Sequence, residues 1–107
     1  MALFVYMTAA SEAEAGRIAD DLVHRRLAAC VNILQPMRSV YLWKGEICNS
    51  REIPLVAKTD DDLFDALAAR VRELHSYETP CIVAFPIAKG TSDFLTWITE
   101  STHPTEE

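Results

Sequence analysis

The chain contains little glycine and little cysteine. Its three glycines are Gly16, Gly45 and Gly90. They are too far apart to form a glycine-rich phosphate-binding loop, which disfavours a nucleotide site of that kind. Its three cysteines are Cys30, Cys48 and Cys81. No C-x-x-C pair is present, so a disulfide framework and a cysteine-based zinc site are both disfavoured. We expect reduced thiols in a cytoplasmic protein.

Positive charge is also scarce. Sixteen acidic and ten basic side chains give a formal net charge of −6. A nucleic-acid backbone and an anionic membrane surface both attract lysine and arginine, so we expect neither as a partner. The apolar run at residues 1–7 ends at Thr8, far short of a transmembrane span. It also lacks the basic start and small-residue cleavage site of a signal peptide.

The order of predicted elements indicates an α+β fold. The 107 residues suit a single domain, 1–107, whose last residues, 102–107, we expect to be frayed. Apolar patterns predict the order βαββαβ followed by a C-terminal helix. A capping box, Ser11-x-x-Glu14, begins the first helix, and residues 59–62 begin the second. This is the ferredoxin-like split βαβ sandwich, in which one sheet face is left bare.

A long hairpin is predicted between residues 28 and 59, with its turn at Lys44-Gly45. If both arms are mostly extended, each spans roughly 40 Å at about 3.3 Å per residue. A domain of this size has a radius of gyration of only about 13 Å. Pro36 is expected to interrupt the first arm, and Pro54 is expected to place part of the second at an edge or a bulge. The uncovered hairpin and the bare sheet face together predict self-association.

Two groups of candidate residues lie on this hairpin. Tyr41 and Trp43 share one face by the two-residue period of a strand, either for ligand binding or as aromatic anchors of a subunit contact. Glu52 and Lys58 also share a face if no bulge intervenes. A strand-end lysine beside free helix amides suits an anion, and a salt bridge is the alternative.

A third group surrounds His75, at the predicted end of the second helix. His75 with Glu78, or with Glu52, offers a nitrogen and an oxygen ligand, although two ligands are too few for a tight metal site. A helix-capping histidine is the alternative. A nucleophilic pair of His75 with Cys30 or Cys81 lacks an orienting third group, so we do not expect an enzyme.

Five segments combine unusual residues at characteristic spacings. They are Ala29-Cys30-Val31-Asn32-Ile33, Ser39-x-Tyr41-x-Trp43-x-Gly45, Glu52-x-x-Leu55-x-x-Lys58-Thr59, His75-x-Tyr77-x-x-Pro80 and Trp97-Ile98. Together they resemble the CutA divalent-cation tolerance family, over a range from Val5 to Ile98. The resemblance implies a ferredoxin-like homotrimer, similar to PII-like signalling proteins, whose long hairpins pack onto neighbouring subunits.

The resemblance also implies a function and a site. The function is a role in tolerance to copper and other divalent cations, with copper binding in some members. The implied ligand-binding cleft between subunits is lined by Trp43, Glu52, Lys58, His75 and Tyr77.

The candidate metal ligands are His75, Glu78 and Met7. Met7 stands where some relatives have a cysteine ligand, and Leu74 stands where some have a second histidine. A thioether is a weaker ligand that still suits Cu(I).

We therefore expect a trimeric cytoplasmic protein linked to metal tolerance. It binds copper or another divalent metal weakly and needs no metal to fold, and the sequence identifies no partner protein. The alternative is a PII-like sensor that binds a small anionic ligand in the inter-subunit cleft through Lys58. A third hypothesis is a trimeric scaffold whose cleft residues only satisfy one another.

Overall fold

Five strands and three α-helices follow one another in the computed structural model, which describes residues 1–104. The strands are β1 (Ala2–Ala9), β2 (Cys30–Ile33), β3 (Met37–Trp43), β4 (Glu46–Asp60) and β5 (Ile82–Pro86). The helices are α1 (Glu12–His24), α2 (Phe64–Leu74) and α3 (Ser92–Thr102). The predicted order of elements is confirmed, with the first hairpin arm divided into β2 and β3.

Strand β4 is the longest element and connects the sheet to the hairpin. The sheet has the strand order β2-β4-β1-β5, with every neighbouring pair antiparallel. The second half of β4 pairs with β1, from Ala9↔Ile53 to Ala2↔Asp60. Its first half pairs only with β3, from Trp43↔Glu46 to Met37↔Glu52. The hairpin therefore projects from the sheet, and the molecule measures 51 × 27 × 23 Å.

The hairpin turns where the sequence predicts. Lys44 and Gly45 both have positive φ, at 51° and 82°. Two successive residues of this kind form the type I′ turn that matches the twist of a hairpin. Tyr41 lies opposite Cys48 in the register.

The two prolines behave differently. Pro36 lies in the break between β2 and β3, as predicted. The break or bulge expected at Pro54 is wrong, because β4 runs through it without interruption, whereas the alternative of an edge position fits, since Pro54 lies between the ends of the β2 and β3 pairings. The Pro54 carbonyl accepts from the Leu34 amide at 2.9 Å, so its missing N–H would face Leu34. Since β2 already ends at Ile33, no hydrogen bond of that strand is lost.

Both predicted helix starts need correction in detail. The Ser11 hydroxyl accepts from the Glu14 amide at 3.1 Å, as a helix N-cap does. The Glu14 carboxylate accepts from Ala10 instead of from Ser11, so the capping box is only half formed. The second helix does not begin at residues 59–62, because β4 continues to Asp60. A 3-10 turn, Asp61–Leu63, precedes α2.

One face of the sheet is packed and the other is bare. The core includes Leu3, Val5, Met7, Ile18, Leu22, Leu55, Leu67 and Val71, all below one-tenth exposed. On β1 these residues alternate with Phe4, which points to the opposite face. Phe4 is 38% exposed there, and Phe85 of β5 is 55% exposed. The two rings lie 6.4 Å apart, which leaves an apolar surface without a cover in the single chain.

The expected frayed tail does not begin at residue 102. Thr102 ends α3 and is buried, and its hydroxyl donates to the Ile98 carbonyl at 2.9 Å. Residues 105–107 of the expected tail lie outside the described residues. Within residues 1–104, no helix has the length and apolar character needed to cross a membrane.

Candidate functional site

An open groove of about 520 Å³ lies between the hairpin and the segment that follows α2. It is lined by Thr8, Ser39, Tyr41, Trp43, Glu52, Ser76, Tyr77, Glu78, Thr79 and Cys81. The two-residue period of β3 places Tyr41 and Trp43 on the groove side, as the sequence predicts. Aromatic rings and two carboxylates, those of Glu52 and Glu78, therefore dominate its chemistry.

The groove is built around a hydrogen bond between Tyr77 and Glu52. The phenol donates to Glu52 Oε2 at 2.9 Å. Glu52 is only 8% exposed, so its carboxylate depends on this partner. Burial, followed by the hydrogen bond to Glu52 and the charge of that carboxylate, raises the pKa of Tyr77, which keeps the phenol a neutral donor.

Cys81 is the thiol of the groove. Burial, and then the charge of Glu52, raises its pKa above the usual value. A nucleophilic cysteine needs the opposite shift, because the thiolate is the reactive form. This environment does not activate Cys81.

His75 lies behind the groove, at the C-cap of α2, with its side chain fully buried. Its Nε2 lies 2.7 Å from the Thr8 carbonyl, and its Nδ1 lies 3.0 Å from the Tyr77 amide nitrogen. A carbonyl only accepts and an amide N–H only donates, so we assign the neutral ring with its proton on Nε2. Both ring nitrogens are therefore occupied.

Glu14 supports this segment from α1, and sequence reasoning missed that role. It is 3% exposed and accepts from the Ser76 amide at 2.7 Å and from the Ala10 amide at 2.8 Å. Burial raises its pKa, but these hydrogen bonds outweigh burial and hold the pKa below its usual value. The sequence did contain a signal for this role, because Glu14 lies one helical turn before Ile18 on the buried face of α1.

The predicted metal ligands are placed apart. Met7 is 1% exposed within the core. Glu78 is at the surface, with its carboxylate 3.6 Å from Lys44 Nζ. With both His75 nitrogens in hydrogen bonds, this arrangement does not present the three residues to one ion.

Of the five predicted cleft residues, the groove is lined by Trp43, Glu52 and Tyr77. His75 is not among the lining residues but contacts two of them: Thr8, through its carbonyl, and Tyr77, whose ring centroid is 4.6 Å away. Lys58 lies farther along β4 and donates to the Asn32 side chain.

Three other potential metal ligands meet at the far end of β4. One ligand atom each from Asp60, Asp62 and His103 lies within 4.8 Å of the other two. The sequence placed His103 in the tail and did not anticipate this group. Only the packing of α3 against β4 reveals it.

Comparison with known proteins decides the family. The profile described as CutA1 divalent ion tolerance protein matches residues 3–101. The chain belongs to this family. The divalent-cation tolerance protein CutA of Archaeoglobus fulgidus is 45% identical over 98 residues, covering 92% of this chain and 95% of that protein. The CutA protein of Thermus thermophilus is 46% identical over the same share of each chain.

The fold agrees with this assignment. The structure of the A. fulgidus protein, named a periplasmic divalent cation tolerance protein, matches with a TM-score of 0.92 at 44% identity. The match covers 95% of this chain and 99% of that one. The mixed fold, with its antiparallel sheet and three helices, is therefore that of CutA1 structures, and the resemblance found in the sequence is confirmed.

Proposed function

We propose that the protein is a cytoplasmic, homotrimeric divalent-cation tolerance protein that binds copper or another divalent metal weakly. The tolerance role is supported by the names of its CutA relatives. The strand order β2-β4-β1-β5 supports a ferredoxin-like, PII-like subunit. Three free cysteines support a reducing compartment, although relatives include a rice protein named chloroplastic.

The main support for the proposed trimer is the apolar surface of the projecting hairpin. Leu42 is 73% exposed and Ile47, directly opposite it in the register, is 78% exposed. Val40 on the same arm is 60% exposed. Apolar side chains in a continuous group of this kind mark an interaction surface. A second apolar surface, around Phe4 and Phe85 on the bare sheet face, gives each subunit two regions to bury.

Assembly would complete the groove. The groove is open on one side in the single chain, and Trp43 at its rim is 39% exposed. We propose that a neighbouring subunit closes it, which makes Trp43, Glu52 and Tyr77 the wall of an inter-subunit cleft. Lys58 and His75 would then contribute to this cleft only if assembly moves them, or if those of a neighbouring subunit lie against it.

The geometry favours this function over the anion sensor. An anionic ligand in the groove would face the Glu52 carboxylate, which repels it. Lys58, the cation expected to hold such a ligand, does not line the groove and already contacts Asn32. Copper binding through His75, Glu78 and Met7 would require His75 to give up one of its two hydrogen bonds.

The test is the mass in solution, measured by light scattering after size exclusion. The wild type is expected at three times the chain mass of 12.0 kDa. The double variant Leu42→Asp with Ile47→Asp places two charges in the proposed contact and should give monomers. Val23→Asp is the matched control, because Val23 is 41% exposed on α1, away from the hairpin. A monomeric wild type would refute the trimer, and a double variant that stays trimeric would refute the hairpin surface as its contact.

The tolerance role is tested in cells that lack the protein. Growth in graded copper and zinc should be restored by the wild type and by Val23→Asp. The double hairpin variant should fail to restore it if the trimer is the active form. Equal growth with and without the wild-type protein would refute a role in tolerance.

A further inference from the structure

We propose that the groove binds a small organic ammonium ion, a ligand that combines positive charge with a hydrocarbon body. This inference deepens the proposed function, because it names the class of ligand for the groove that a neighbouring subunit is proposed to close. It rests on that function only for the closure, since the groove residues all belong to a single chain. Three features support it: a buried carboxylate with a free oxygen, aromatic walls, and an ammonium group held at the rim.

The Glu52 carboxylate is a buried charge without a basic partner. Glu52 is only 8% exposed, and no basic side chain among residues 1–104 forms an ion pair with it. Tyr77 donates to Oε2 at 2.9 Å, whereas Oε1 has no donor from the described residues. No side-chain oxygen in this part of the chain is both enclosed and unbonded, so Oε1 is open to the groove. A carboxylate withdrawn from bulk water in this way is stabilised by a cation.

The walls beside this carboxylate are aromatic. Tyr41, Trp43 and Tyr77 all line the groove. The face of an aromatic ring carries the negative part of its quadrupole and attracts ammonium groups, most strongly at tryptophan. The groove volume of about 520 Å³ suits a small organic molecule. Aromatic faces next to a carboxylate therefore favour a cation that also has apolar surface to bury.

Lys44 makes the proposed contacts at the rim of the groove. Its Nζ lies 5.4 Å from the centre of the Trp43 ring and 3.6 Å from Glu78 Oε2. Trp43 and Glu78 both line the groove. The Lys44 and Glu78 side chains are 69% and 70% exposed, so water screens the pair and a ligand can replace the lysine. Lys44 is therefore an internal competitor for an ammonium ligand at this end of the groove.

A metal ion and an anion each suit the groove less well. Among residues 1–104, the one group of three histidine, cysteine or acidic side chains with converging ligand atoms lies at the end of β4, outside the groove. The ligand atoms of Glu52, Glu78 and Cys81 therefore do not meet around one ion. An anion would face two carboxylates. A ligand with ammonium groups on an aliphatic chain can instead use Glu52 and Glu78 separately.

The first experiment uses cadaverine, an aliphatic diamine that carries two ammonium groups at neutral pH. Calorimetry compares its binding to the full chain with that of two probes of similar length, the neutral diol and the anionic glutarate. The wild type should bind cadaverine at least about tenfold more tightly than either, because only cadaverine pairs with the carboxylates. No binding of cadaverine, or equal affinity for cadaverine and the diol, would overturn the proposal.

Three variants test the assigned contacts. Glu52→Gln keeps an acceptor for Tyr77 but removes the charge, and should weaken cadaverine binding by about tenfold. Trp43→Leu removes the aromatic face and should weaken it by about threefold or more. Lys44→Asn removes the competing ammonium and keeps a residue that tolerates the positive φ of the turn. It should tighten binding by about two- to fivefold, and unchanged affinity in all three variants would overturn the proposal.

Trp97→Leu and Glu100→Gln are the matched controls. Trp97 is 42% exposed, close to the 39% of Trp43, and Glu100 is an exposed acidic residue. Both lie on α3, outside the groove, and each variant should stay within about twofold of the wild type. Equal weakening by Glu100→Gln and Glu52→Gln would overturn the proposal, because it would assign the binding to the overall charge of the chain.

The two tryptophans allow a second measurement on the wild type. Cadaverine should shift the indole N–H signal of Trp43 in NMR spectra and leave that of Trp97 in place. Equal shifts of both signals, or none, would contradict the site even if Glu52→Gln fails to fold.

Light scattering on the same samples separates this result from the proposed assembly. A trimer that binds no cadaverine would overturn the ligand and leave the assembly intact. A monomer that binds cadaverine would support the ligand and refute the assembly.

Discussion

Tyr77 and Glu52 are joined by a hydrogen bond of 2.9 Å between the segment after α2 and the base of the hairpin. The two residues come from elements that are not neighbours in the chain. Because Glu52 is buried, the bond both holds the segment against the hairpin and supplies the carboxylate with its hydrogen-bond donor.

Removing the Tyr77 hydroxyl should therefore lower the stability of the fold. Tyr77→Phe leaves the Glu52 carboxylate buried without its donor, and we expect a loss of about 1–3 kcal/mol in the free energy of unfolding. Chemical denaturation at matched protein concentration measures it. Tyr41→Phe is the control, because its hydroxyl pairs with Ser50 in an exposed contact and should matter by less than about 0.5 kcal/mol. Equal losses in Tyr77→Phe and Tyr41→Phe would contradict the role assigned to the burial of Glu52.

His75 is expected to act as a structural link between β1 and the segment after α2. His75→Ala removes the bonds to Thr8 and Tyr77 and leaves a cavity, so we expect a loss of about 2–4 kcal/mol. His24→Ala, at an exposed site, should have little effect. In the wild type, ring ¹⁵N shifts should report a neutral ring protonated at Nε2. A proton on Nδ1 at neutral pH would contradict the assigned tautomer.

Glu14 should make the protein sensitive to acid. Its folded pKa lies below the usual value of 4.5, so its contribution is present above that value and decreases as the pH falls through the lowered pKa. Glu14→Gln should lose about 1.5–3 kcal/mol at neutral pH, since a charged acceptor is lost from two amides. Urea denaturation across the acid range should show the two proteins converging as Glu14 protonates. A constant difference would contradict this explanation.

The ion pair between Asp21 of α1 and Arg70 of α2 should respond to pH in the same direction. Two bonds of 2.8 Å from Arg70, with help from Arg25, lower the pKa of Asp21 from 3.8 to about 2. Its stabilisation is therefore complete above 3.8 and decreases as the pH falls towards about 2.

Asp21→Asn should lower the melting temperature at neutral pH, less so in high salt, and should match the wild type near the lower end of that range. Asp20→Asn is the control, because Asp20 is exposed beside it. A difference that persists unchanged into strong acid would contradict the ion pair as its source.

The sequence by itself determined the features that depend on near neighbours in the chain. The turn at Lys44-Gly45, the shared face of Tyr41 and Trp43, and the N-cap at Ser11 follow from local conformational preference and strand period. The resemblance to the CutA family also came from the sequence, since it depends on residue types at fixed spacings.

Tertiary structure decided the features that depend on where a distant chain segment ends. Pro54 fits inside β4 only because β2 stops before the proline's missing N–H would be needed. His75 Nε2 has a hydrogen-bond partner because a β1 carbonyl lies against it, which no local pattern around His75 reveals. His103 meets Asp62, 41 residues away, only because α3 packs against β4. The partners of a buried polar group are set by packing, and packing is a property of the whole chain.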